Sequence, residues 1–143
     1  SAKGPKGMLF DLPAVIERAR ADADPRIDYV AGDFFRDPIP ACKAYLLMSV
    51  LHHWSDDEAV AILENLGAHA PARAKLLLVE GVVGEGGGQN FIVDLDIEML
   101  VMTTGRERTR ADWERVLGRA GFRLNRIIPT HGPSAVIEGV RAA

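Results

Sequence analysis

The chain has 143 residues, 48% hydrophobic and 26% charged, with a formal net charge of −3. That length suits one globular domain with a core of its own, and the mild negative charge leaves no footprint for nucleic acid or an anionic membrane. Cys42 is the only cysteine, so no internal disulfide can form and a reducing cytoplasm fits best, while no apolar run reaches the length of a membrane span.

Strands and helices alternate, as in an α/β fold whose parallel strands are joined by crossovers. Met8–Asp11 reads as a short strand, and Pro13 suits the first turn of a helix running to about Ala21. Ile27–Gly32 is a second strand. The apolar run Ala44–Leu51, broken only by Ser49, is a third, which predicts cover on both faces. Ser55 and Glu58 form a capping box that opens a helix to about Ala70, with Ala59, Ile62, Leu63 and Leu66 on one face. Lys75–Val83 is a fourth strand, with Leu76 through Val79 fully buried, and Gly84–Gly88 breaks it. Phe91–Met102 has helical spacing. Thr109 and Asp112 cap another helix, which carries Trp113, Val116, Leu117 and Ala120 on one side and stops at Gly121. Phe122–Thr130 and Ser134–Arg141 close the chain as a hairpin about the His131-Gly-Pro133 turn.

The third strand delivers His52, His53 and Trp54 to its carboxyl end, where open α/β sheets hold ligands. An imidazole there titrates near neutral pH and can take a proton. A metal site with Asp56 is the competing reading, but no further His or Cys stands at a suitable spacing, so no metal is expected. The glycines at 84–88 follow a strand without a capped helix opening in the span of a dinucleotide loop, and read as a surface loop. Arg106, Arg108 and Arg110 read as a solvated cationic face rather than a lure for acidic substrates.

Six short signatures occur in order: Leu9-Phe-Asp-Leu-Pro13, Gly32-Asp-Phe-Phe35, Leu51-His-His-Trp-Ser-Asp56, Leu78-Val-Glu80, Gly105-Arg-Glu-Arg-Thr109 and Ala120-Gly-Phe122. Together they resemble the small-molecule O-methyltransferases that use S-adenosylmethionine, of the plant phenolic and bacterial natural-product kind. The resemblance runs from about Gly7 to Val140. It implies a Rossmann-like class I methyltransferase sheet with a C-terminal antiparallel hairpin, and methyl transfer to a small phenolic or enolic hydroxyl. It also implies S-adenosylmethionine as donor, a homodimeric parent, and no nucleic-acid or membrane partner. The competing reading keeps the fold without the activity, as a binding or assembly module; a third binds the same donor but runs a different reaction.

The resemblance gives residues their expected roles. His52 matches the general base, with Glu80 and Glu107 as the carboxylates that bracket it. A phenol has a pKa near that of tyrosine, about 10, so at pH 7 only about one molecule in a thousand is the phenolate, and a base within reach matters. Asp11 matches the ribose-binding carboxylate, with helix capping at Pro13 as its alternative; Asp33 and Phe34 match adenine contacts, and Phe35 reads as core. Met99 and Met102 match substrate-pocket positions, though their spacing suits a core equally. Met48 stands at a cofactor-proximal position where plant members often carry lysine, and His53 stands where an aspartate usually follows the base.

Residues 1–143 are expected to form a single partial catalytic domain. The family's N-terminal dimerisation domain, first (central) strand and glycine-rich loop have no counterpart before Met8. Two strand edges are then left open, one on Met8–Asp11 and one on Ala44–Leu51, and are expected to close on each other or on another copy.

Overall fold

The computed structural model describes residues 4–84 and 105–142, and the chain divides into two compact units, Ser1–Ile39 and Pro40–Ala143. In the first unit, β1 (Gly7–Asp11) and β2 (Ile27–Ala31) pair in parallel from Gly7↔Ile27 to Asp11↔Ala31. The crossover between them is α1 (Pro13–Ala19), extended by a 3-10 turn over Arg20–Asp22. Pro13 at its first turn costs no hydrogen bond, since that N–H has no partner within a helix anyway. α1 packs through Ile16, its one buried side chain.

The second unit is built on a sheet in the order β3-β4-β7-β6, from β3 (Ala44–Met48), β4 (Lys75–Val83), β6 (Phe122–Pro129) and β7 (Ser134–Arg141). β3 and β4 are parallel and joined through α2 (Asp56–His69), whereas β7 runs antiparallel to β4 and β6 antiparallel to β7. The mixed α/β sheet and its C-terminal hairpin are thus as the sequence anticipates. The two-residue β5 (Arg108–Thr109) pairs with β4 at Val82 and Val83. It leads into α3 (Arg110–Arg119).

Both expected capping boxes form: Ser55 with Glu58 at α2, and Thr109 with Asp112 at α3. α3 ends at Gly121, whose φ of +82° lies in the left-handed region that glycine enters without strain. The core lies where α2 and α3 meet the sheet, with Leu63, Leu76, Leu78, Trp113, Leu117 and Ile137 at 0% exposure. Burying each such side chain contributes roughly 1.5–3 kcal/mol.

Three expectations need correction. β3 ends at Met48 rather than Leu51, and it is not covered on both faces: Leu46 and Met48 are 63% and 61% exposed on one face, while Tyr45 is buried on the other. β4 alternates rather than being uniformly buried, with Leu77 and Val79 half-buried between Leu76 and Leu78. Phe35 is exposed, lying edge-to-face against Phe34 in the turn after β2 instead of in the core. Among the described residues of the first unit β1 pairs with β2 alone, and among those of the second β3 pairs with β4 alone. The helical reading of Phe91–Met102 lies outside the described residues.

Candidate active site

The site is built where β3 gives way to α2. Ser49 turns the chain with φ of 54°, an unusual conformation for a residue with a Cβ, while its N–H still donates to Val79 O at 3.0 Å. Leu51–His53 then forms a single 3-10 turn, and Trp54 returns to extended backbone before the Ser55 cap. This sharp reversal aims His52 back toward β4.

Glu80, 1% exposed on β4, receives the turn. Its Oε1 accepts from the N–H groups of Val50 at 2.9 Å and Leu51 at 2.8 Å, and its Oε2 lies 2.6 Å from Nδ1 of His52. One carboxylate therefore fixes both the backbone that carries the imidazole and the imidazole itself. A carboxylate accepts and does not donate, so Nδ1 carries the proton and Nε2 is left as the basic nitrogen. The Glu80 hydrogen bond raises the pKa of His52 above its ordinary value; partial burial opposes this, the charges of Glu80 and Glu107 add to it, and that of Arg108 subtracts. His53, its ring centroid 4.2 Å from that of His52, is shifted the other way, by burial first and by repulsion from His52 second.

The Gly105–Thr109 segment covers the turn. A Cβ on Gly105 would overlap the carbonyl of His52, so only glycine fits at that contact. Glu107 is buried at 5% exposure, near enough for its charge to favour the protonated His52. Arg106 pairs with Asp112 at 2.7 Å. Arg108 is not part of a solvated face, as the sequence suggested, but is fully buried. Its Nε donates to Asp56 Oδ1 at 2.8 Å, one terminal nitrogen donates to Leu51 O at 3.0 Å and the other to Trp54 O at 2.8 Å. The guanidinium also lies 5.1 Å from the ring centroid of Trp113, within cation–π range. Burial pushes the Asp56 carboxyl up, but the hydrogen bond and charge of Arg108, with Arg106 and Arg115 beside it, together outweigh this and hold Asp56 below its ordinary value.

The structure therefore brings His52, Glu80 and Glu107 together within the second unit. Asp11, Asp33 and Phe34 lie in the first. Asp11 ends β1, and its Oδ1 accepts from Leu12 N–H at 2.7 Å, while α1 has no side-chain cap at its N-terminus. Asp33 accepts from Phe35 N–H at 2.9 Å in the turn after β2, and Phe34 is half-buried. Met48 is exposed at the end of β3. Met99 and Met102 lie outside the described residues. Arg108 is the residue that sequence reasoning missed. The available signal was its position just before a capping Thr and just after a candidate catalytic carboxylate.

Comparison with known proteins places this geometry in context. The sequence is 37% identical over 140 residues to cephaeline 6'-O-methyltransferase of Carapichea ipecacuanha, covering 93% of this chain and 39% of that protein. It is 40% identical over 141 residues to 8-amino-8-demethylriboflavin N,N-dimethyltransferase of Streptomyces davaonensis, covering 92% and 40%. The fold superposes on CalO1, a methyltransferase in calicheamicin biosynthesis solved in its SAH-bound form, with a TM-score of 0.85 and 36% identity, over 96% of this chain and 42% of that one. The chain thus spans about two fifths of the length of these relatives. Residues 4–123 match the O-methyltransferase domain, and the chain belongs to that family.

Proposed function

We propose that this chain is part of a methyltransferase that uses S-adenosylmethionine to methylate the hydroxyl of a small phenolic or enolic acceptor, with His52 as general base. The observation that carries the reading is the 2.6 Å contact between Nδ1 of His52 and the buried Glu80, which presents a basic Nε2. At a separation of about 3 Å that nitrogen accepts the hydroxyl proton as the oxygen becomes nucleophilic. Glu80 and the buried Glu107 then stabilise the imidazolium, as the acid does in a catalytic triad.

The residues that would hold the donor suit its chemistry. Among the described residues Asp11 hydrogen-bonds through Oδ1 only, leaving Oδ2 for a ribose hydroxyl at a strand end, and Phe34 offers a half-buried aromatic face next to the Asp33 turn. S-adenosylmethionine, when bound, supplies a methyl group already activated on its sulfonium. What remains for the protein is alignment and proton removal.

The test uses the full-length protein with a phenolic acceptor. His52→Gln is expected to lower kcat by about 10²–10⁴-fold while S-adenosylhomocysteine still binds, and Asp11→Ala to weaken that binding. Full turnover in His52→Gln sinks the assignment of the base. Binding without turnover in the wild type favours a binding or assembly module. The relative named as an N,N-dimethyltransferase motivates a second reading, an amino-group acceptor, which product analysis separates from the first.

A further inference from the structure

Two anchors hold the turn that carries His52, and only one belongs to the catalytic set. Glu80 takes the N–H groups that precede His52. On the other side a single guanidinium reaches the carbonyl before the histidine pair, Leu51 O, and the carbonyl after it, Trp54 O. Its third nitrogen is tied to Asp56 at the first position of α2, so the turn is also fixed to the start of that helix. Both anchors are side chains from outside the turn: β4 supplies the acceptor and β5 the donor.

We propose that Arg108 is a positioning residue for the general base: by bridging Leu51 O, Trp54 O and Asp56 it sets the direction in which the His52 ring points. The inference rests on His52 being that base. Three features make it specific to arginine. The donors must reach three acceptors in different directions, which a planar fork does and a lysine ammonium on a flexible stem does not. The side chain is fully buried, so water cannot replace those bonds. Its face is packed on Trp113, whose indole N–H is itself fixed to Gly81 O at 3.3 Å, one residue beyond Glu80. Both anchors are thereby referred to the same stretch of β4. Arg108 also follows Glu107, the second carboxylate, directly in the chain. Its positive charge moreover opposes those of Glu80 and Glu107 at the imidazole, which keeps the base deprotonated at lower pH.

The experiment compares wild type, Arg108→Lys and Arg115→Ala in the full-length protein, reading kcat, the KM for S-adenosylmethionine and the proton resonance of His52 Nδ1–H. Arg115 is the control, because it also pairs with Asp56, at 3.4 Å, and with Asp112, yet lies half exposed on α3 with no bond to the turn. Arg108→Lys is expected to lower kcat by about 10–100-fold, with KM within about twofold, and to shift or broaden the Nδ1–H signal. Arg115→Ala is expected to leave all three readings within about twofold of wild type. Unchanged kcat and Nδ1–H signal in Arg108→Lys overturn the inference, and so does an equal kcat loss in Arg115→Ala. If Arg108→Lys does not fold, Asp56→Asn decides: the same pattern at smaller amplitude supports the proposal, and no change in either reading overturns it. If the wild type transfers no methyl group at all, the proposed function fails, and the Nδ1–H resonance alone then decides whether Arg108 holds the ring.

Discussion

A base must be neutral to act, yet every carboxylate that orients it also favours its charged form, and His52 sits under that tension. Glu80 and Glu107 raise its pKa above the ordinary 6.5, against the pull of burial and Arg108. Two consequences have opposite signs. The stability contributed by the His52–Glu80 pair is fully present below the unfolded pKa and is lost as pH rises through the folded one. With His52 as the proposed base, activity is expected to run the other way, absent at low pH and rising through the folded pKa as the ring becomes neutral. We expect the acid limb of kcat/KM to lie above pH 6.5, and Glu107→Gln to move it to lower pH; a limb that stays fixed in that variant removes Glu107 from the imidazole's surroundings. At this scale the sequence is most informative for Glu80, which stands on a strand, and for His52, which stands in the turn just after one, because the apolar runs of both strands announce themselves. Arg108 was misread for a definite reason. Between Arg106 and Arg110 it has a surface residue's company, and its burial depends on acceptors more than fifty positions away in the chain, which no local pattern encodes.

Elements whose ends are chemically marked were legible almost to the residue. Ser55 and Thr109 each accept from the third helical N–H and donate their own backbone N–H to the side chain of Glu58 or Asp112, so α2 and α3 begin where the capping boxes place them. Ser55→Ala is expected to cost about 1 kcal/mol, read as a lowered midpoint in chemical denaturation; a change within about 0.2 kcal/mol would mean that the Asp-rich first turn holds the helix without its cap. β3 was less legible. Apolar residues resume after Ser49 and continue to Leu51, but one serine in such a run does not say that the backbone reverses there, and the left-handed Ser49 ends the strand early. Leu51 is still fully buried, beneath the turn rather than in the strand, which is why periodicity alone could not separate the two.

At the scale of the molecule, the two compact units are very unequal. The second holds most of the buried side chains, including Leu63, Leu76, Trp113 and Ile137. The first has one parallel strand pair and a seven-residue helix with a single buried side chain, and it leaves Met8, Leu9 and Leu12 exposed at 40%, 37% and 51%. Chains below about 40 residues rarely bury enough apolar surface to fold unaided. A peptide of residues 1–39 is therefore expected to show no cooperative thermal transition by circular dichroism, and a sharp one would show that α1 and the β1–β2 pair suffice. Among the described residues no helix is long and apolar enough to cross a membrane.

β4 hydrogen-bonds to β3 along one part of its length and to β7 along most of it, with β5 at its end, and Glu80 rides on it. Amides in such a strand are expected to exchange with deuterium only when the whole domain opens, and those of Val50 and Leu51, which donate to the buried Glu80, to share that protection. The two halves of the His52–Glu80 contact thus belong to one cooperative unit, held from one side by Glu80 and from the other by the buried Arg108. Warming or mild denaturant is accordingly expected to release the histidine from its carboxylate only as the sheet itself melts, read as loss of the Nδ1–H resonance together with the protection of β4.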